Sequence, residues 1–237
     1  MSNEIAQLLE LQSIDHRSTE ASERIKRLQR DRARFENKVV ESKQRFANQK
    51  EDLKQLEHDS LMKNLEVDEL DANIRKYQHR LDTGIISFKE MEDLRVKIAS
   101  ERNRISEMED EALRIMDAIV QGKEALSAAE TALGERQAEL QASITETDDR
   151  LEQTDESISE LRGQRTALTD SMSEFLHSQY ESLHKKFPDP IAAITNTTCS
   201  GCKLKLSGST IERVRGSLGI VTCEHCSRIL HIQQQSL

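Results

Sequence analysis

The sequence predicts a mainly α-helical protein: a long antiparallel coiled-coil hairpin followed by a small C-terminal β domain. Three observations support this fold. Heptad patterns of apolar residues run through two long segments, a turn signal separates the segments, and all four cysteines form two Cys-x-x-Cys pairs near the C-terminus. Only 3% of the 237 residues are aromatic and 32% are charged, which is typical of solvated helices rather than of a wide globular core.

The first arm of the hairpin carries one uninterrupted heptad phase. One row of mostly apolar residues runs from Leu11 to Leu81 at seven-residue spacing, and a second row, beginning at Ile14, follows three residues later. Alternating spacings of three and four place both rows on one stripe of a helix. This pattern predicts a coiled coil along the whole arm.

A turn is predicted near residues 82–87. Asp82, Thr83 and Gly84 are residues that end helices, and the heptad pattern resumes at Phe88. The second arm keeps one phase from Met91 to Phe175, although the spacing between its rows changes near Gly134, which indicates a local change of supercoil. The turn favours a hairpin over the alternative, a parallel dimer of continuous helices.

The turn also predicts which residues of the two arms face each other. If Leu81 lies opposite Phe88, then Phe46 lies near Lys123. In this register the second arm is the longer one, so that residues 168–187 extend beyond the start of the first arm and carry the C-terminal domain.

Two prolines mark the boundary between the domains. Pro188 and Pro190 cannot continue a helix, so the hairpin is predicted at 1–187 and the C-terminal domain at 188–237. The C-terminal domain has five Lys or Arg and three Asp or Glu, which gives it a net charge of +2. Because the whole chain has a net charge of −9, the arms have a net charge of −11. Acidic arms are expected to repel nucleic acid and anionic membranes.

The cellular compartment is predicted from two absences. The N-terminal residues lack the basic and apolar regions of a signal peptide, and no apolar stretch has membrane-spanning length. We therefore expect a cytoplasmic protein without membrane contact, in which thiols stay reduced. The sequence leaves the oligomeric state open.

The cysteines read C-S-G-C and C-E-H-C, with twenty residues between the pairs, and they are Cys199, Cys202, Cys223 and Cys226. Two such pairs can place four thiolates in a tetrahedron, which predicts one structural zinc ion per chain and no open position for catalysis. The alternatives are two disulfides or a redox dithiol. Disulfides are rare in cytosolic chains, and no thioredoxin-like βαβ pattern surrounds either pair.

Other residues of the C-terminal domain have weaker signals. His225 and His231 could each replace a cysteine ligand, but solvent-facing histidines are the simpler expectation. Gly201 lies where the first knuckle turn is expected to need a positive φ. Ser207 offers a cap for a short helix, and β-prone segments occur at 191–198, 203–206 and 228–232. The pattern predicts a zinc ribbon that cannot fold without its metal.

Three stretches carry a resemblance to a known family. They are C-S-G-C-K-L-K-L-S at Cys199–Ser207, C-E-H-C-S-R-I-L-H at Cys223–His231, and F-K-E-M-E-D-L-R-V-K-I after the turn together with R-I-S-E-M-E-D-E at Arg104–Glu111. The chain resembles the bacterial family of coiled-coil hairpin proteins that end in a four-cysteine zinc ribbon. This resemblance implies a non-enzymatic adaptor or regulator whose partners include the alternative sigma factor RpoN and components of flagellar or type III secretion export. At least one relative binds a messenger RNA.

The residues favour one of four function classes over the other three. We expect a scaffold that binds protein partners, because long hairpins offer extended helical surfaces. An enzyme is disfavoured, since no phosphate-binding loop, activated nucleophile or open metal site is recognisable. A purely structural rod is the fourth alternative. The main alternative to the scaffold is nucleic-acid binding through the ribbon. Its candidate residues are Lys203, Lys205, Arg213, Arg215 and Arg228.

Overall fold

The computed structural model describes residues 3–216 and 219–232. Two long helices, α1 (Asn3–Thr83) and α2 (Phe88–Ser171), are followed by the short helix α3 (Glu174–His184). The C-terminal part contains strands β1 (Ile191–Thr195), β2 (Thr198–Cys199) and β3 (Ile229–His231), with helix α4 (Gly208–Arg215) before β3. The mainly α fold with a small β region is confirmed. Within the described ranges, none of the helices combines the length and apolarity needed to cross a bilayer.

The chain divides into two compact units. The hairpin unit comprises Arg34–Ile144, and the ribbon unit comprises Met1–Ala33 with Thr145–Leu237. Helices α1 and α2 run antiparallel within each unit. Glu57 and Lys123 form an ion pair of 2.8 Å in the hairpin unit, and Arg32 and Asp148 form one of 2.6 Å in the ribbon unit. The hairpin, rather than a parallel dimer, is therefore confirmed. The predicted division at residues 187 and 188 stays a prediction.

The predicted turn connects α1 to α2. The N–H of Gly84 donates to the carbonyl oxygen of Arg80 at 3.1 Å, and a Cβ at Gly84 would lie only 2.6 Å from that oxygen. A glycine is thus required for the chain to leave α1 in this way. The hydroxyl of Ser87 accepts the N–H of Glu90 at 3.2 Å and caps α2.

The predicted register holds at the turn and is wrong further along the arms. Arg80 pairs with Glu90 across the turn, as the register requires within one residue. Gly122, however, packs against Leu53, where a Cβ on the glycine would lie 3.0 Å from Leu53 Cδ1. This is nearly two helical turns beyond the predicted neighbour, Ala47.

The register has already changed at Lys63, because its ion-pair partner Glu111 lies five residues beyond Ser106, the residue that the predicted register places opposite it. Ser60 and Lys63 occupy seam positions in the heptad pattern, and Lys63 reaches out to Glu111 in an ion pair of 2.5 Å. The departure therefore begins between Arg80 and Lys63. Extrapolation from the turn assumed one register along both arms and failed for that reason.

The second arm was predicted to continue as one helix up to Phe187, and this prediction is wrong. Helix α2 ends at Ser171, and Ser173 caps a separate helix, α3, by accepting the N–H of Leu176 at 3.3 Å. Phe175, expected in the seam, is 68% exposed. The break lets α3 fold back and bury Leu176 and Tyr180 against the start of α1, where they complete one apolar cluster with Ile5, Leu8, Leu11, Met172, Ile191 and Ile229.

A buried carboxylate joins the three helices of the ribbon unit. The side chain of Asp15 is 7% exposed, and its oxygens accept from Arg165 Nε at 2.7 Å and from the Tyr180 hydroxyl at 2.9 Å. Arg165 also pairs with Glu181 on α3. The hydrogen bond to Asp15 raises the pKa of Arg165, and burial together with the charge of Asp15 raises that of Tyr180. Both groups therefore act as hydrogen-bond donors to Asp15 at neutral pH.

A cysteine pair tests the register. When Leu53 and Gly122 are both replaced by cysteine, we expect an intrachain disulfide on mild oxidation, since a Cβ at residue 122 would contact the side chain of residue 53. Peptide mass spectrometry of the zinc-loaded protein identifies the crosslink. The matched pair Phe46→Cys with Lys123→Cys should not crosslink. A crosslink in this second pair alone, or crosslinks only between chains, would contradict the register.

The Asp15 network is tested by denaturation. Arg165→Met leaves a buried carboxylate without its cation and should lower the free energy of unfolding by roughly 2–4 kcal/mol. Tyr180→Phe removes one hydrogen bond and should lower it by about 1 kcal/mol. Arg162→Met, a change at an exposed position on the same helix, serves as the control, with an expected effect below about 0.5 kcal/mol. Equal losses for Arg165→Met and Arg162→Met would refute the stabilising role.

Candidate metal centre

The four cysteine sulfurs converge on one point. Cys199, Cys202, Cys223 and Cys226 are free thiols whose Sγ atoms all lie within 4.8 Å of one another. The Sγ atoms of Cys199 and Cys226 are 3.9 Å apart, and those of Cys202 and Cys223 are 3.8 Å apart. A zinc ion with four Zn–S bonds of about 2.3 Å has sulfur–sulfur edges of about 3.8 Å. The cluster therefore has the dimensions of a tetrahedral zinc site and is too wide for disulfides.

The two cysteine pairs lie in matching backbone turns. The N–H of Cys199 donates to the carbonyl oxygen of Leu204 at 3.0 Å, and the N–H of Lys203 donates to that of Cys199 at 2.9 Å. The second turn has the same two bonds. The N–H of Cys223 donates to the carbonyl oxygen of Arg228 at 2.8 Å, and the N–H of Ser227 donates to that of Cys223 at 2.9 Å. Each turn thus presents both of its thiols on one side.

The positive φ expected at Gly201 falls elsewhere. Lys203 (φ 60°) and Ser227 (φ 64°), each directly after the second cysteine of its pair, adopt the left-handed conformation. Gly201 is needed for a different reason, because a Cβ there would lie 2.7 Å from the Cδ of Arg228. The expectation at Gly201 was wrong because the glycine makes room for a side chain rather than for a backbone turn.

A small sheet and one short helix carry the knuckles. Strand β1 is central, antiparallel to β2 and parallel to β3. The predicted strand at 203–206 is present only as a bridge between Thr198 and Lys205. Helix α4 is capped by Ser207, as expected. The cysteines themselves belong to the apolar cluster of this region, together with Ala192, Leu206, Ile211 and Leu230.

Two charged residues that the motif analysis did not single out for structural roles support the site. Glu224, inside the second knuckle, accepts the N–H of Ser207 at 2.7 Å and the hydroxyl of Thr210 at 3.2 Å, and thereby ties this knuckle to the start of α4. Arg228 stacks on the ring of Phe187 at 3.9 Å and donates to the carbonyl oxygen of Asp189 at 2.8 Å. It fastens the second knuckle to the chain that enters the ribbon. Neither contact could be predicted from the spacing of residues in the sequence.

The metal-free thiols differ in acidity. Burial raises the pKa of Cys199 above its usual value and raises that of Cys223 to about 12. Burial acts on Cys226 in the same direction, but hydrogen bonds from the backbone and side chain of Arg228 outweigh it and lower the pKa to about 7. Zinc must therefore displace protons at neutral pH, and its retention weakens as the pH falls.

The other predicted residues lie at the ribbon surface or are engaged. Lys203, Lys205 and Arg213 are exposed, Arg215 pairs with Glu212 at 3.1 Å, and Arg228 is held by Phe187 and Asp189. The ring of His225 contacts the carbonyl oxygen of Lys205 at 3.0 Å. His231 is partly buried, and burial lowers its pKa. Among the described residues, neither histidine joins the cluster of sulfur atoms.

The architecture and the four-thiol cluster define a class of protein, a coiled-coil hairpin that ends in a four-cysteine zinc ribbon. Residues 9–187 match the CT398-like coiled coil hairpin domain, and residues 198–230 match the C4-type zinc ribbon domain. The chain therefore belongs to the CT398-like coiled-coil hairpin family, and the clustered cysteines of its ribbon support one structural zinc ion.

Solved structures share this fold. CT398 from Chlamydia trachomatis is 22% identical with a TM-score of 0.82, and the alignment covers 98% of each chain. A Mycobacterium smegmatis protein is 18% identical with a TM-score of 0.74, covering 98% of this chain and 99% of that one. HP0958 from Helicobacter pylori is 18% identical with a TM-score of 0.59, covering 98% of each. No curated protein matches the chain.

Removing one thiol tests the metal centre. The protein purified without chelator should contain one zinc per chain by elemental analysis. Cys199→Ser should lose the metal and unfold the ribbon while the circular dichroism of the long helices remains, because metal binding provides the folding energy of so small a unit. Ser200→Ala, at the neighbouring position, should retain zinc. Zinc-free wild-type protein, or a Cys199→Ser protein that keeps its zinc, would contradict the assignment.

Proposed function

We propose that this protein is a non-enzymatic, zinc-binding adaptor of the cytoplasm that binds protein partners through its hairpin. Its family and the similar structures are coiled-coil proteins rather than known enzymes. The proposal takes Cys199, Cys202, Cys223 and Cys226 as the four zinc ligands, which leaves the metal no open position for substrate. The ribbon is then a structural element, and function resides in surfaces.

The observation that carries this proposal is an apolar stripe in the hairpin unit. Leu113, Met116 and Val120 follow one another at helical spacing on α2, and they are 61%, 54% and 57% exposed. Leu61 on α1 is 57% exposed and lies one helical turn from Glu57. Because Glu57 pairs with Lys123, which lies one turn from Val120, Leu61 is on the same flank of the hairpin as this stripe. Helices that already bury a seam do not need further apolar residues for folding, and contiguous exposed apolar residues indicate a contact surface for protein.

The partner is proposed from the family resemblance. The alternative sigma factor RpoN and components of flagellar or type III secretion export are the candidates to test first. These candidates fit an adaptor with exposed helical surface.

RNA binding through the ribbon is the second candidate function. The observation in its favour is that Lys203, Lys205 and Arg213 are exposed and form no salt bridge within the described part of the chain. Arg215 and Arg228 are already engaged, however, so few side chains remain for phosphates. Four thiolates on zinc also carry a net charge of −2, which offsets the ribbon's charge of +2.

The ranking of these functions is tested by titration. We expect a protein partner to bind more tightly than RNA at physiological salt. The logarithm of the nucleic-acid binding constant falls with the logarithm of the salt concentration, with a slope of about −0.7 to −0.9 per phosphate contact. Binding of purified RpoN, of export components and of single-stranded RNA is measured at two salt concentrations.

Two sets of substitutions assign the surface. The triple change of Leu113, Met116 and Val120 to Ser should weaken protein binding, whereas Val40→Ser, at an exposed apolar position elsewhere in the hairpin unit, should not. The ribbon set changes Lys203, Lys205, Arg213, Arg215 and Arg228 to Ala. Sub-micromolar RNA binding that persists at physiological salt, is lost in the ribbon set and has no protein rival would place RNA binding first.

A further inference from the structure

A groove lined by arginines runs along the paired helices of the ribbon unit. It has a volume of about 690 Å³. One wall is formed by Arg17, Arg24 and Arg27 of α1 with Glu20 between them, and the other by polar residues of α2 that include Gln153 and Ser157. The charged lining thus has three cations and one anion.

The three arginines lack acidic partners. Among the described residues, none of them forms a salt bridge or a hydrogen bond to a carboxylate, and Arg27 influences Glu23 only through its charge. Other arginines of the same helices do find partners, for example Arg32 with Asp148 and Arg165 with Asp15. In a chain of net charge −9, three cations without partners make the α1 wall of this groove positively charged.

We propose that this groove binds an acidic helix of a partner protein, with carboxylates placed on Arg17, Arg24 and Arg27. The proposal rests on the adaptor function and adds a second contact surface to it. The three arginines span ten residues, about 15 Å along the helix. A helix lying in the groove has the same rise per residue, so glutamates at spacings of seven and three residues can meet all three. Arginine pairs well with carboxylates in such contacts.

The charge around the groove favours a peptide over a nucleic acid. Residues 146–160 of α2 contain seven Asp or Glu and only one Arg. A polyanion carries charge along its whole backbone and would meet this acidic segment as soon as it left the arginine wall. A helix can instead place its carboxylates on one side and neutral residues on the other. Gln153 and Ser157 offer it hydrogen bonds without adding charge.

The probe is a synthetic helical peptide of about 20 residues, long enough to be partly helical alone. It carries Glu at spacings of seven and three, and a matched peptide carries Gln at the same positions. Binding of each rhodamine-labelled peptide to the full-length, zinc-loaded protein is measured by fluorescence anisotropy. We expect the Glu peptide to bind at least about tenfold more tightly than the Gln peptide, with affinity that decreases as salt increases.

Variants of the protein locate the site. The change of Arg17, Arg24 and Arg27 to Glu should weaken binding of the Glu peptide at least about tenfold, because attraction becomes repulsion. The same positions changed to Gln provide a second variant without acidic residues, and circular dichroism with zinc analysis verifies that each is folded. The matched control changes Lys43, Arg45 and Lys50, also exposed cations of α1, to Glu and should alter binding less than about twofold.

Three results would overturn the proposal. An equal loss of Glu-peptide affinity in the control variant would show a general charge effect. Equal affinities of the Glu and Gln peptides would show that the groove does not select carboxylates. Tighter binding of single-stranded polyuridine, lost with the groove arginines, would make the groove a nucleic-acid site. Failure here leaves the adaptor function intact when the Leu113, Met116 and Val120 variant still loses a protein partner, so the two tests are distinguishable.

Discussion

The buried carboxylate of Asp15 is the contact on which the ribbon unit depends. One side chain of α1 receives Arg165 of α2 and Tyr180 of α3, and thereby joins α1 to two helices whose contact residues lie 150 and 165 residues further along the chain. A charge that is 7% exposed is stable only while these donors are present. The break between α2 and α3 is what brings Tyr180 to this position, so the break and the network require each other.

The same end of α1 also holds the chain that leads into the ribbon. Gln12 accepts the N–H of Ile191, the first residue of β1, at 2.8 Å, and His16 Nε2 lies 2.7 Å from Asp189. Arg228 then fastens the second knuckle to Phe187 and Asp189. The zinc cluster stabilises the interior of the ribbon, whereas these contacts position it on the helices. Loss of metal should therefore disorder the ribbon and remove Ile191 and Ile229 from the cluster around Tyr180, while the contacts of Asp15 with Arg165 and Tyr180 remain.

The sequence predicted those features that repeat or that have strict spacing. Heptads identified both arms, Gly84 identified the turn, and two Cys-x-x-Cys pairs identified the metal centre, because each is set by local geometry. The register, the break after Ser171 and the folding back of α3 depend on contacts between residues far apart in the chain. A serine at 173 is a common residue, and its role as a helix cap becomes evident only in the structure, where α3 places Leu176 in one apolar cluster with Leu8 and Leu11.

Side chains that folding does not use support the adaptor function that we propose. A hairpin is complete once its seam is buried, so apolar or cationic residues on its outer flanks do not contribute to folding. The hairpin unit carries exposed Leu113, Met116 and Val120, and Arg17, Arg24 and Arg27 of the ribbon unit form no salt bridge within the described part of the chain. Exposed apolar residues reduce solubility, and neighbouring like charges repel. We therefore propose that these faces, which folding leaves free, contact other molecules, one mainly apolar and one acidic.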